Sequence, residues 1–174
     1  MERMLKYAAV FGLVALSSFA PADSAADFLS GTGYKAFLAF GVVHAFGSEH
    51  DGGVRSLDTL LCSGLAAEGL KRLTRVERPD HTDHESFPSG HATTAFAIAT
   101  FEADHHRSEA PLWYLGAGLI AQSRVDLHRH HETDVLAGAA LGFLMARAEE
   151  RSKDGFLIRP TPTGAVALGI SLKF

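Results

Sequence analysis

Four segments between Ser56 and Arg151 repeat their apolar residues at helical spacing, each roughly 14 to 22 residues long. In Ser56–Val76, Leu57, Leu60, Leu61, Leu65, Leu70 and Leu73 share one broad face, Ser56 stands in the N-cap position, and Pro79 ends the segment. Ser89 to about Ala103 is apolar and Ala-rich, and Pro111 to about Val125 opens on a proline suited to a first helical turn. Glu132 to about Arg151 passes from an apolar half into Arg147, Glu149, Glu150 and Arg151, and Tyr34–Phe46 gives a weaker fifth segment. The expected fold is therefore all-α, a bundle of about five to six helices. Several of these helices are apolar nearly all round, which suits either a buried helix or a membrane span. The mean hydropathy of +0.07 is low for a chain that crosses a membrane many times and favours a soluble bundle.

Both ends of the chain break this pattern. Val166, Leu168, Ile170, Leu172 and Phe174 alternate with smaller or polar residues, a strand signature, and Phe156–Ile158 is placed to pair with them across Pro160–Gly164. Residues 155–174 therefore read as a small β-hairpin tail. A terminal Phe also suits the last strand of an outer-membrane barrel, but one hairpin cannot close a barrel. At the other end, Arg3 and Lys6 precede an apolar run from Tyr7 to Ala20 and the small residues Ala22 to Ala26. That is the layout of a signal peptide over residues 1–26, with one domain over residues 27–174 in the periplasm or secreted. The alternative is a retained, membrane-associated anchor helix, although the run is shorter than the roughly 20 residues of a spanning helix.

Charge narrows the partners. With 16 basic against 20 acidic residues and a net charge of -4, the chain has no excess of cations for a nucleic-acid backbone. A lone cysteine, Cys62, allows no intramolecular disulfide and no Cys-based zinc site. Of the 10 histidines, all but His44 and His50 fall between His81 and His131.

Three clusters carry chemistry. Lys71 and Arg78-Pro79 place two permanent cations at the end of the Leu-rich segment. Pro88-Ser89-Gly90-His91 leads straight into an apolar helix, where Ser89, the Gly90 amide and the helix N-terminus make an anion seat with His91 beside it. Ser123-Arg124 is followed by His130 and Asp134. If the last helix starts at or before His130, the two share a face. The carboxylate then accepts one ring N–H and leaves the other nitrogen as a nucleophile.

In Lys71, Arg78, Pro79, Pro88, Ser89, Gly90, His91, Ser123, Arg124, His130 and Asp134 the chain resembles the type 2 phosphatidic acid phosphatase superfamily, which also holds bacterial non-specific acid phosphatases and vanadium haloperoxidases. The resemblance covers Lys71 to about Ala146. It implies a metal-independent phosphatase that hydrolyses phosphate monoesters, lipid or small-molecule, through a phosphohistidine, with no cofactor. His130 is the implied nucleophile, Asp134 its orienting group, and His91 the acid that protonates the leaving alcohol and then activates water. Lys71, Arg78, Ser89, Gly90 and Arg124 are the implied phosphate-binding groups. Two other readings stand beside this one: a vanadate-dependent haloperoxidase using the same seat, and a non-catalytic His-rich metal binder built on His128, His130 and His131.

The other histidines carry less. His81 and His84 lie in a polar loop between two clusters, where they either tune substrate choice or are solvated. His105 and His106 read as the polar end of a helix, and His44 and His50 have no visible partner. Contact with a membrane periphery and the oligomeric state stay open.

Overall fold

The computed structural model describes residues 22–48, 51–152, 155–161 and 166–169. A short helix α1 (Ala22–Phe28) runs through a π turn (Leu29–Gly33) into α2 (Tyr34–Ser48), followed by α3 (Gly52–Thr74), α4 (Gly90–His105), α5 (Ala110–Asp126) and α6 (Glu132–Arg151). Two strands, β1 (Ile158–Pro160) and β2 (Val166–Leu168), close the described chain. This is the all-α bundle with a small hairpin that the apolar spacing implies.

The middle of the bundle is α4, which packs against α2, α3, α5 and α6. Every residue from Ala92 to Ala103 except Phe96 is buried. A helix can be surrounded in this way only if most of its side chains are small, which is why its sequence is a run of Ala and Thr. The closest approach is to α6. A Cβ at Gly142 would lie 2.1 Å from the Thr93 carbonyl oxygen, and one at Gly138 2.6 Å from that of Ser89. On the opposite flank Phe37, Ile98, Trp113 and Ile120 form the apolar core, with the Phe37 and Trp113 rings edge to face at 5.4 Å.

Side-chain contacts set the direction of each helix. Tyr34 meets Thr94 and His44 meets Glu102, so α2 and α4 run parallel. Arg55, near the start of α3, binds Glu149, near the end of α6, so those two are antiparallel. One end of the bundle therefore collects the starts of α2, α4 and α6 with the ends of α3 and α5. The far end collects the reverse.

Helix α3 differs from its expected reading in three ways. It starts at Gly52, which puts Ser56 inside the helix and buried instead of at its N-cap. It ends at Thr74 because Arg75 turns left-handed (φ 48°), before Pro79 is reached. Its leucine face is packed only in part: Leu60 rests on the apolar core, but Leu61, Leu65 and Leu73 are exposed, while Ser56, Thr59, Ser63, Ala67 and Lys71 face inward. The inward stripe repeats every three or four residues as the leucines do, but with small and polar side chains that let α3 come close to α4.

In the hairpin, Ile158 pairs with Leu168 and Pro160 with Val166. It is fastened to α3 by Asp58, whose buried carboxylate accepts the backbone N–H groups of Phe156, Leu157 and Ile158 at 2.6 to 2.9 Å. Gly155 makes the turn into it at φ +69°, where a Cβ would lie 2.4 Å from the Ile158 carbonyl oxygen. Ile170, Leu172 and Phe174 of the expected strand lie outside the described residues. So does most of the expected signal peptide. Its described part belongs to α1, which spans the expected cleavage point after Ala26 and packs against α5, with Ala26 buried. Among the described residues no helix is long and apolar enough to cross a membrane.

Candidate active site

The end of the bundle where α2, α4 and α6 begin brings the three clusters together. Ser89 caps α4, its side-chain oxygen accepting the Ala92 N–H at 3.5 Å, and its own N–H donates to the Asp134 carbonyl oxygen at 2.9 Å. The cap thus joins the start of α4 to the start of α6. The first-turn amides of Gly90 and His91 have no carbonyl within their own helix to bond. Lys71, on the last turn of α3, lies against Gly90, and its ammonium donates to the Glu85 carbonyl oxygen.

His130 sits in the loop ahead of α6, on the floor of the site, with only 3% of its surface exposed. Its Nδ1–H donates to the Ser86 carbonyl oxygen at 2.8 Å, and its Nε2 accepts from Arg78 Nη1 at 3.2 Å. Those two bonds leave one tautomer, a neutral ring with its lone pair on Nε2. Burial, then the charges of Arg78, Lys71 and Arg124, push its pKa down to about 3. Arg78 is itself aimed by Asp83 (2.6 Å, from Nε) and the Arg129 carbonyl oxygen (3.0 Å).

The expected bond from His130 to Asp134 is not made. α6 begins at Glu132, so His130 precedes the helix and the four-residue spacing does not put the pair on one face; Asp134 Oδ2 is 3.9 Å from Nδ1. Asp134 instead accepts from the Ser86 hydroxyl, from the His131 N–H at 2.9 Å and from His131 Nδ1 at 3.1 Å. Burial works against its charge, yet these hydrogen bonds hold it below the usual carboxylate range. It reaches His130 through Ser86.

His91, on the first turn of α4, donates from Nε2 to the Ser30 carbonyl oxygen at 3.1 Å and packs its ring on Tyr34 at 4.0 Å. Burial and then the charge of Arg124 push its pKa down to about 4. Arg124, near the end of α5, donates to the Ser30 hydroxyl, and burial followed by Arg129 and Arg78 lowers its own pKa to about 10. The π turn thus lays Ser30 between His91 and Arg124. A shallow groove lined by Lys71, Arg72, Arg75, Asp83, His84 and Glu85 opens beside Lys71, and His84 is part of it. His81 pairs with Glu77 at the surface.

Ser30 and Ser86 carry no mark in the sequence pattern, and Tyr34 stands out there only as the start of a helix. Ser86 acts through its carbonyl, which every residue type has. Gly31 and Gly33 around the π turn were the local signal for Ser30. Among the described residues, His128, His130 and His131 form no cluster with metal-ligand spacing.

A protein named lipid A 1-phosphatase from Porphyromonas gingivalis is 39% identical over 114 residues, covering 63% of this chain and 25% of that protein. A lipid phosphate phosphatase 1 from Arabidopsis thaliana is 34% identical over 106 residues, covering 52% of this chain and 29% of that one. The chain thus spans under a third of the length of these two relatives. A crystal structure titled as a transmembrane PAP2 type phosphatidylglycerolphosphate phosphatase from Bacillus subtilis aligns with a TM-score of 0.57 at 22% identity, over 86% of this chain and 84% of that one, which is a likeness of fold. The profile of the PAP2 superfamily matches residues 53–152. That match takes in Lys71, Arg78, Ser89, His91, Arg124, His130 and Asp134, and the chain belongs to the PAP2 superfamily.

Proposed function

We propose that the chain is a phosphatase that removes phosphate from a lipid phosphate monoester through a phosphohistidine on His130, with no metal in the reaction centre. The observation that carries this is the pinned ring of His130. Its Nδ1 is held by Ser86, and its Nε2 lone pair lies under the Arg78 guanidinium with Lys71 and Arg124 close by. A nucleophile needs a lone pair where the phosphorus arrives, and the displaced phosphoryl oxygens need positive charge around them.

In this reading the phosphate replaces Ser30 between His91 and Arg124, and Arg78 turns from Nε2 to a phosphoryl oxygen. Nε2 then attacks phosphorus in line as the bond to the leaving alkoxide breaks, and His91 gives that alkoxide a proton. Water next attacks the phosphohistidine while His91 takes its proton, which frees inorganic phosphate and restores His130. The incoming dianion returns the His91 pKa toward its ordinary range, which makes it an acid at the moment one is needed. Lipid as the substrate class is supported by the names of the relatives and by the exposed leucines of α3 and α6, including Leu65, Leu73, Leu136 and Leu144. The signal peptide expected over residues 1–26 adds export. A native protein starting near Asp27 supports that part, and an intact Met1 in the membrane fraction overturns it.

The test is mass spectrometry of enzyme quenched under alkali after mixing with an aryl phosphate. His91→Ala should accumulate a phosphoramidate on His130, because an aryl leaving group departs unaided while water is left without a base. His130→Ala should show none. Phosphate on His91 in the His130→Ala protein reverses the assignment, and turnover without any phosphoenzyme in either variant sinks it.

A further inference from the structure

The far end of the bundle holds a second cluster of histidines, which the reaction above does not use. His44, near the end of α2, and His106, which caps the end of α4, flank the Glu102 carboxylate. Glu102 Oε2 is 2.7 Å from His44 Nδ1 and 3.7 Å from His106 Nε2, and one donor atom from each residue fits within 4.8 Å of the others. The Glu102 side chain is wholly buried, and its second oxygen, Oε1, has no hydrogen-bond partner; neither has His106 Nε2, which is also buried. A buried carboxylate oxygen and a buried ring nitrogen left in this state are costly unless something fills them.

We propose that His44, Glu102 and His106 bind a divalent transition-metal ion of the zinc class. Two imidazoles and a carboxylate suit zinc, whereas calcium and magnesium take six or more ligands, nearly all oxygen. Around a tetrahedral zinc with bonds of about 2.0 to 2.2 Å the donor atoms stand roughly 3.3 to 3.6 Å apart. The observed 2.7 and 3.7 Å lie either side of that spacing, and all three donors fall within 4.8 Å of one another. The other nitrogen of His44 faces the Glu109 carboxylate at 3.7 Å, the outer carboxylate that a metal-bound histidine commonly has. The Phe40 and Trp113 rings pack around His44 and keep that side dry. His106, at 23% side-chain exposure, leaves a way in for the ion.

Glu102 is eleven residues beyond His91 along α4, about 17 Å at 1.5 Å per residue, so an ion here cannot touch the phosphate seat. It would tie the end of α2 to the end of α4, a structural clip. Metal binding and phosphatase chemistry are thus read out separately.

The experiment uses the full chain stripped with chelator and dialysed against zinc, with metal counted by mass spectrometry and unfolding followed by heat. The wild-type protein should hold one more zinc per chain than His106→Ala, with its Tm raised by about 5 °C. Cobalt should give tetrahedral visible bands that the same variant loses. Since His106 is partly exposed, His106→Ala should fold even if Glu102→Gln does not. Equal zinc and equal Tm shift in wild type and His106→Ala, or no saturable uptake, overturns the site.

Discussion

Where α2, α4 and α6 begin, Lys71, Arg78 and Arg124 are turned inward; at the far end Asp58, Glu102 and Glu149 are fully buried carboxylates. The cations bond chiefly to neutral oxygens: Lys71 to the Glu85 carbonyl, Arg124 to the Ser30 hydroxyl, Arg78 to the Arg129 carbonyl as well as to Asp83. Glu149 does the opposite, gripped by Arg55 through Nε and Nη2, both at 3.1 Å, and Asp58 has its oxygens filled by three backbone N–H groups. A buried charge set against neutral acceptors keeps its field for an incoming ligand, while one set against its own complement is used up in holding the fold together. The positive dipole end of α4, capped at Ser89, adds to the first case.

The sharpest way to break this division is to remove one histidine from each end. His130→Ala should lower turnover by roughly 10⁴-fold or more, whereas His106→Ala should leave kcat within about threefold. Steady-state phosphate release decides it, and an equal loss in both variants would merge the two ends. Next in size is Arg78→Lys, which keeps the charge but loses the planar fork. A drop in kcat/KM of about 10² to 10³ is expected, with Tm little changed.

At the far end Asp58→Asn should cost about 2 to 3 kcal/mol in urea unfolding, since an amide cannot accept three N–H groups as a carboxylate does. Its kcat should stay within about twofold. The smallest effect is in pH. His91 and His130 titrate at about 4 and about 3 in the folded protein against about 6.5 unfolded, so below pH 6.5 the unfolded chain binds more protons and stability is lost as pH falls toward 4. Burial raises Glu149 to about 7, so its contribution runs the other way and grows as pH falls from 7 to 4.5. Urea midpoints between pH 7 and 4.5 should therefore fall more steeply in Glu149→Gln than in the parent chain, by on the order of 1 kcal/mol. An unchanged slope would show that the two ends do not oppose each other.

Residue type and periodicity account for what could be read without coordinates. Glu132 to Arg151 is helical over the span its pattern gives, because the Asp134 side chain and the apolar repeat both mark a helix start at that point. Lys71, Arg78, Ser89, His91, Arg124 and His130 come to one end of the bundle, and the proposed anion seat rests on those chemical types being found together. What escaped was direction and partnership. The leucines of α3 mark a face, but a period does not say what that face looks at. The His130 partner is a backbone carbonyl, and the His44 partner lies 58 residues away on another helix.

Gly138 and Gly142 carry a consequence for how such a site varies. Because α6 touches the backbone of α4 where these side chains are missing, the separation of the element bearing His91 from the one leading out of His130 is set by main chain against main chain. It has no side-chain cushion to compress or swap. The span between His91 and His130 is therefore held against drift elsewhere, and in the proposed reaction a change of substrate has to be written in what surrounds the pair: the groove beside Lys71, the loop of His84, and the π turn that carries Ser30. The two histidines are a gauge block, and the loops are the adjustable jaws.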